Sequence, residues 1–171
     1  MKIEIRIPDF IYNQMIKDLN HQPCQFAKER VGFLFTRTGI IDDDRIVLAI
    51  KYMVLDDSDY VQDDLVGARI GSKTIRSVMQ NILDNNFGVF HVHLHNSDET
   101  LRFSKRDNIE LPKLIPSFQA VGKQQVHGLL LLNQLSAIAR VWLPSSNEGK
   151  AASRISIVGT PFTVWKSREL K

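Results

Sequence analysis

Three of the chain's five histidines, His91, His93 and His95, occupy alternate positions at the end of the apolar run 87–95. In an extended strand such residues share one face. Two residues of strand rise separate alpha carbons by roughly 6.5–7 Å. Two imidazoles at that spacing can converge on one ion with bonds of about 2.0–2.1 Å. A third ligand must come from elsewhere, and Ser104-Lys105-Arg106-Asp107 offers a carboxylate at the start of the next helix, after a short polar loop. Two imidazoles and one carboxylate leave the fourth tetrahedral position to water, the ligand pattern of a catalytic rather than a structural zinc. Hydrolysis there also needs a proton acceptor. Glu29 is the candidate, because it stands at the mouth of the apolar run Val31-Gly32-Phe33-Leu34-Phe35, at a surface edge or in a polar cleft.

The elements that must position these residues follow from periodicity. Residues 2–7 alternate, with Ile3, Ile5 and Ile7 on one face, as in a half-buried strand. Pro8-Asp9 opens a helix over 9–19 carrying Tyr12, Met15, Ile16 and Leu19, ended by the stretch Asn20 to Pro23. Residues 29–36 form a buried strand, Gly39 and Asp42 to Asp44 mark a turn, and 45–55 return as a strand. The connection 56–70 is acidic, with Asp56, Asp57, Asp59, Asp63 and Asp64. It lacks the glycine and closing glutamate of a calcium-binding EF-hand loop and reads as a solvated loop. Residues 72–86 form an amphipathic helix with Ser72 as N-cap and Ile75, Val78, Met79, Ile82 and Leu83 on one face. After strand 87–95 and the loop 96–103, a helix runs from Ser104 toward Phe118, interrupted at Pro112 and Pro116. Strands 126–132 and 136–143 flank the turn Asn133-Gln134, and a short strand spans 154–158. Strands and helices mix without regular βαβ alternation, so the expected fold is α/β, a mixed sheet flanked by helices. The expectation is a single domain over 1–171, with a core over about 1–158 and a short C-terminal tail.

Composition narrows the class. The chain has 171 residues, 43% apolar and 24% charged, so it is not a disordered, collagenous or coiled-coil chain. One cysteine, Cys24, excludes an internal disulfide and a zinc site built mainly from thiolates. It also lacks the neighbouring histidine that a nucleophile would need. No stretch reaches bilayer length, and the start alternates charge with isoleucine unlike a secretory signal, so the expected compartment is the cytoplasm. A net charge of +3 with no Lys/Arg run predicts neither a nucleic-acid nor a membrane partner. Ordinary roles compete with the chemical ones. Glu29 could pair with Lys28 or Arg30 at the surface. Ser104 could cap its helix with Asp107 as capping-box partner, a role compatible with facing a site. His127 reads as structural, His21 as solvated and Trp142 as core.

The order Glu29-x-x-Gly32, apolar strand, helix, strand ending in His-x-His, then Ser-x-x-Asp resembles the JAB1/MPN/Mov34 metalloenzymes, the JAMM peptidases. The likeness runs from residue 1 to about residue 143. The segments Lys2-Ile3-Glu4-Ile5, His127-Gly128-Leu129-Leu130 and Ala139-Arg140-Val141-Trp142 look like those of prokaryotic members. The resemblance implies a mixed curved sheet flanked by helices in the JAB1/MPN, cytidine-deaminase-like architecture. It implies Glu29 as the general base acting on zinc-bound water, and His93, His95 and Asp107 as zinc ligands. It implies Ser104 as the hydroxyl that stabilises the oxyanion. Two departures stand out: Asn96 replaces the usual proline after the second histidine, and the gap from His95 to Ser104 is one residue longer than is common. The pair His93/His95 is favoured, with His91/His93 left open, and the spare histidine then lines the pocket or binds substrate. The implied activity is a zinc-dependent metallopeptidase or isopeptidase cutting the bond after the C-terminal tail of a ubiquitin-like or sulfur-carrier protein. Such a tail could lie along a sheet edge. By analogy, E1-like and E2-like proteins of a bacterial antiphage system would be partners. The other implied roles are an inactive scaffold, which typically lacks part of the residue set, and a metal-dependent hydrolase of small amino-acid adducts.

Overall fold

Alternation of Ile3, Ile5 and Ile7 with Glu4, Arg6 and Pro8 produces β1 (Ile3–Pro8), fully buried on the isoleucine face. The computed structural model describes residues 1–21, 26–63, 67–95 and 100–166, so Cys24, Asp64 and Asn96 lie outside the described residues. Helix α1 (Asp9–Leu19) follows directly, with Asp9 in its first turn, where a carboxylate favours the helix dipole, and with Ile11, Met15 and Leu19 buried. A hairpin of β2 (Val31–Ile41) and β3 (Asp44–Met53) closes through Asp42, whose φ of 52° is a conformation aspartate tolerates. Gly39 belongs to β2 rather than to the turn, and β2 runs five residues past the expected 36.

Helix α2 (Ser72–Asn85) is capped by Gly71, with Ser72 as its first residue rather than its cap. Its buried positions are Thr74, Val78 and Ile82. Leu83, expected on the apolar face, is 59% exposed. Asn86 ends the helix in the left-handed region at φ 51°. Then come β4 (Gly88–Leu94) and α3 (Lys105–Glu110), a 3-10 turn over 111–114, and α4 (Ile115–Val121). Pro112 and Pro116 sit in the opening turns of the last two pieces, where a missing N–H costs nothing, so the expected interrupted helix is three short ones. Strands β5 (His127–Leu132), β6 (Ala137–Trp142) and β8 (Arg154–Val158) match expectation. Strands β7 (Gly149–Ala151) and β9 (Thr163–Lys166) were not anticipated.

All nine strands form one sheet in the order β7-β6-β5-β4-β2-β3-β1-β8-β9. Strand β1 is parallel to β3 and β8, and β4 is parallel to β5; the other pairings are antiparallel. The fold is therefore α/β with a mixed sheet, as expected. The sheet curls. Ala152 donates to the Ala139 carbonyl at 3.0 Å and its neighbour Ser153 to that of Ile3 at 2.8 Å, so two consecutive residues touch opposite halves of the sheet. The Trp165 indole on β9 donates to the Leu135 carbonyl in the β5–β6 turn at 2.9 Å. One core joins Ile3, Ile5, Ile7, Leu34, Phe90, Val92, Leu130 and Val141 to α1. The other, on the opposite face, joins Phe33, Phe35, Val89 and Leu129 to Val78 and Ile82 of α2 and Ile115 and Phe118 of α4. Among the described residues no helix is long and apolar enough to cross a membrane.

The acidic connection is a tether rather than only a solvated loop. Asp56 and Asp59 form a capping box around a 3-10 turn. Asp57 accepts from Arg30 at 2.7 Å, and Asp59 accepts from the Thr74 hydroxyl at 2.7 Å.

Candidate metal centre

The centre grows from the register of β4. His93 lies opposite Val31 and His91 opposite Phe33 across the antiparallel pair with β2. The three histidines share the face that carries Val89, and they climb out of the core: His91 is 4% exposed, His93 1%, and the His95 side chain 25%. Asp107 meets them from α3. Its Oδ2 lies 3.5 Å from His93 Nε2 and 3.6 Å from His95 Nε2. Two ligands bonded to one zinc at about 2.0–2.1 Å and at the tetrahedral angle stand about 3.3–3.4 Å apart. The observed separations are thus close to those of a formed zinc site. Among the described residues, His93, His95 and Asp107 are the group whose ligand atoms all lie within 4.8 Å of one another.

The donor set passes a further test. Both ring nitrogens of His93 are buried with no hydrogen-bond partner among the described residues. Such orphaned polar atoms are rare and call for an explanation. A cation on Nε2 supplies one for that atom. The carboxylate is aimed by the start of α3: Ser104 Oγ accepts from the Asp107 amide at 3.1 Å, and Asp107 Oδ2 accepts from the Ser104 amide at 2.7 Å. One capping box thus ends a helix and orients a ligand, with the Ser104 amide as the outer-shell partner that metal-binding carboxylates ordinarily have. Burial pushes the Asp107 carboxyl up, but the His93 ring and the Ser104 contacts outweigh it and hold the group well below the usual carboxylate range. Burial and the neighbouring His93 lower His95, against the charges of Asp107 and Glu29. A His95 held toward its neutral form beside a carboxylate held ionised suits metal ligation.

His91 stands apart. Its ring packs edge-on against Phe33 at 5.7 Å and tilted against His93 at 5.6 Å. Burial, then His93, pushes it down to about 3. It lies outside the convergent group, so the geometry favours the His93/His95 pair. His127 is structural, as expected. It is fully buried, Nδ1 accepts from the Val89 amide at 3.3 Å, and Nε2 stands 3.0 Å from the Gly122 carbonyl.

Glu29 precedes β2. It lies in a bend outside the β2–β4 ladder rather than in the strand expected from residue 29, and its charge acts on His95. No ion pair to Glu29 occurs among the described residues; its neighbour Arg30 is engaged elsewhere. Arg30, 8% exposed, donates to the carbonyls of His21 (2.8 Å) and Leu55 (3.1 Å) and pairs with Asp57 at 2.7 Å and Asp18 at 3.9 Å. The Tyr60 hydroxyl accepts from the Val31 amide at 3.0 Å and donates to the Val31 carbonyl at 3.1 Å, pinning the first residue of β2. Gly32 is small because the Tyr52 side chain crosses directly over it on the way to Asp18 Oδ2, 2.7 Å from its hydroxyl. This anchorage was not anticipated. Its residues are scattered between 18 and 60, with no periodic signal linking them.

No family model matches the chain, and no curated protein matches it. Among solved structures, the STIL N-terminal domain of Trichoplax adhaerens is similar over 80% of this chain and 40% of that chain, with 10% identity and a TM-score of 0.37. The chain thus spans about two fifths of the length of that neighbour, and a likeness at this level carries no argument about fold family or function.

Proposed function

We propose that this chain is a zinc-dependent metallopeptidase or isopeptidase of JAB1/MPN architecture, acting in the cytoplasm on the bond that follows the C-terminal tail of a ubiquitin-like or sulfur-carrier protein. The observation that carries the reading is the convergence of His93 Nε2 and His95 Nε2 on Asp107 Oδ2 at near-tetrahedral ligand separations, with the Glu29 charge acting on His95. The order of elements around these residues supports the architecture: a strand and helix, a hairpin, a second helix, the histidine strand, then the capped helix.

His93, His95 and Asp107 would hold the metal. Zinc supplies Lewis acidity toward a carbonyl oxygen and makes water a usable nucleophile near neutral pH. Glu29 accepts a proton from water and returns it to the departing amine, one group serving as base and then acid. Ser104 Oγ accepts from the Asp107 amide. Its own hydroxyl stands against the Asp107 carboxylate and would turn from there to an oxygen that gains charge. E1-like and E2-like proteins of the same conjugation system are the partners this reading implies.

The test is zinc analysis of the purified protein joined to cleavage of linear fusions and isopeptide conjugates of ubiquitin-like proteins, beside Glu29→Ala. Bound zinc with Glu29-dependent cleavage is the expected result. Bound zinc with no turnover on any conjugate would replace the enzyme by a scaffold, and absence of zinc would end both.

A further inference from the structure

Gly67 meets Glu29 twice. Its carbonyl accepts from the Lys28 amide at 2.7 Å and from the Glu29 amide at 3.3 Å, tying the backbone of the segment that enters β2. Its missing side chain leaves the space that the Glu29 side chain fills: a methyl group built on Gly67 would overlap Oε1 and Cδ of Glu29 and crowd Cγ. No glycine among the described residues adopts a positive φ. The backbone at 67 therefore suits alanine, and what forbids a side chain there is the carboxylate itself.

We propose that Gly67 is a positioning residue that sets where the Glu29 carboxylate stands relative to His95. The inference deepens the metallopeptidase reading and rests on it for its functional consequence. Glu29 is anchored at its backbone by the Gly67 carbonyl, and the next residue, Arg30, is locked by four oxygen partners. Only the glutamate side chain is left to choose a direction. Packing against the bare Gly67 surface removes one side of its rotamer space. An added methyl is accommodated most cheaply by swinging the flexible end of Glu29 away, since the competing movement would break the anchored backbone. The fold then survives while the carboxylate leaves its place.

The experiment is Gly67→Ala, with Glu29→Ala and the double variant completing a cycle. Gly67→Ala is expected to keep its zinc content, its melting temperature and its KM while kcat falls about a hundredfold, the scale of a misplacement near 1 Å. In the Glu29→Ala background, which keeps neither Cγ nor the carboxylate that the methyl would meet, the same alanine is expected to have little further effect. A crystal structure of Gly67→Ala is expected to show the Glu29 side chain rotated away from His95. Unchanged kcat, an equal loss in both backgrounds, or an unmoved Glu29 would overturn the proposal. If wild type binds zinc but cleaves nothing, the metallopeptidase reading fails separately, and the crystal structure alone decides whether Gly67 directs the carboxylate.

Discussion

His93 is the side chain on which the centre depends, because among the described residues it alone is fully buried, faces Asp107 and has no other partner for either ring nitrogen. His93→Ala and Asp107→Asn are each expected to abolish stoichiometric zinc, measured by elemental analysis of dialysed protein. His91→Ala is expected to retain the metal and instead to lower stability by about 2–3 kcal/mol, the cost of a cavity beside Phe33, read from denaturant unfolding. Zinc lost from His91→Ala but kept by His95→Ala would reverse the ligand assignment. At this scale the sequence was informative. Alternation alone put three imidazoles on one face, but it is blind to which of them a carboxylate twelve to sixteen residues downstream will meet. That choice depends on where α3 docks.

At the scale of elements, the first turn of α3 does two jobs with one pair of hydrogen bonds. Ser104→Ala is expected to destabilise the protein by about 1 kcal/mol through loss of the cap. It should also weaken zinc binding by about tenfold, because the Oγ that fixes the Asp107 backbone and stands against its carboxylate is lost, although the Ser104 amide remains. Chemical denaturation and competitive chelator titration measure the two effects, and a lost cap with unchanged zinc affinity would separate them. The capping box was visible as Ser-x-x-Asp, since it is a local motif. The entry to β2 was not. Arg30 could pair with any of several carboxylates by sequence alone, and the fold selects Asp57 and Asp18 while leaving Glu29 outside the pair. Arg30→Met is expected to cost about 3 kcal/mol by stranding Asp18 and two backbone carbonyls, a loss seen in the urea midpoint.

Across the whole molecule, the curl of the sheet packs one core around α1 inside and sets the histidine face outside beneath α2 and α4. His127 ties β5 to β4 and to the end of α4 in that outer layer. Burial, opposed by the Gly122 carbonyl, lowers it from 6.5 to about 4. Its folded pKa lies below its unfolded one, so between those values the unfolded chain binds the extra proton. The stabilisation from neutral His127 is complete above about pH 6.5 and drains away as pH falls toward about 4, by on the order of 3 kcal/mol. His127→Asn is expected to be less stable at pH 7 but to show a shallower fall across that window, followed by denaturant unfolding at successive pH values. An unchanged slope would remove His127 from the acid response.

What the chain determined by itself is what short-range rules control. Isoleucine alternation made β1, Pro8-Asp9 opened α1, the apolar run built β4, and Ser104 with Asp107 capped α3. Each rests on contacts within a few residues, so periodicity and capping chemistry carry it. Tertiary structure alone decided that His93 and His95 rather than His91 face Asp107, that the Glu29 charge acts on His95, that Gly67 leaves room for the Glu29 side chain, and that β8 and β9 extend the sheet beyond β1. Those outcomes depend on strand register and helix docking between segments far apart in the chain. There the governing terms are shape and burial summed over a whole core, and no local pattern of residue types encodes them.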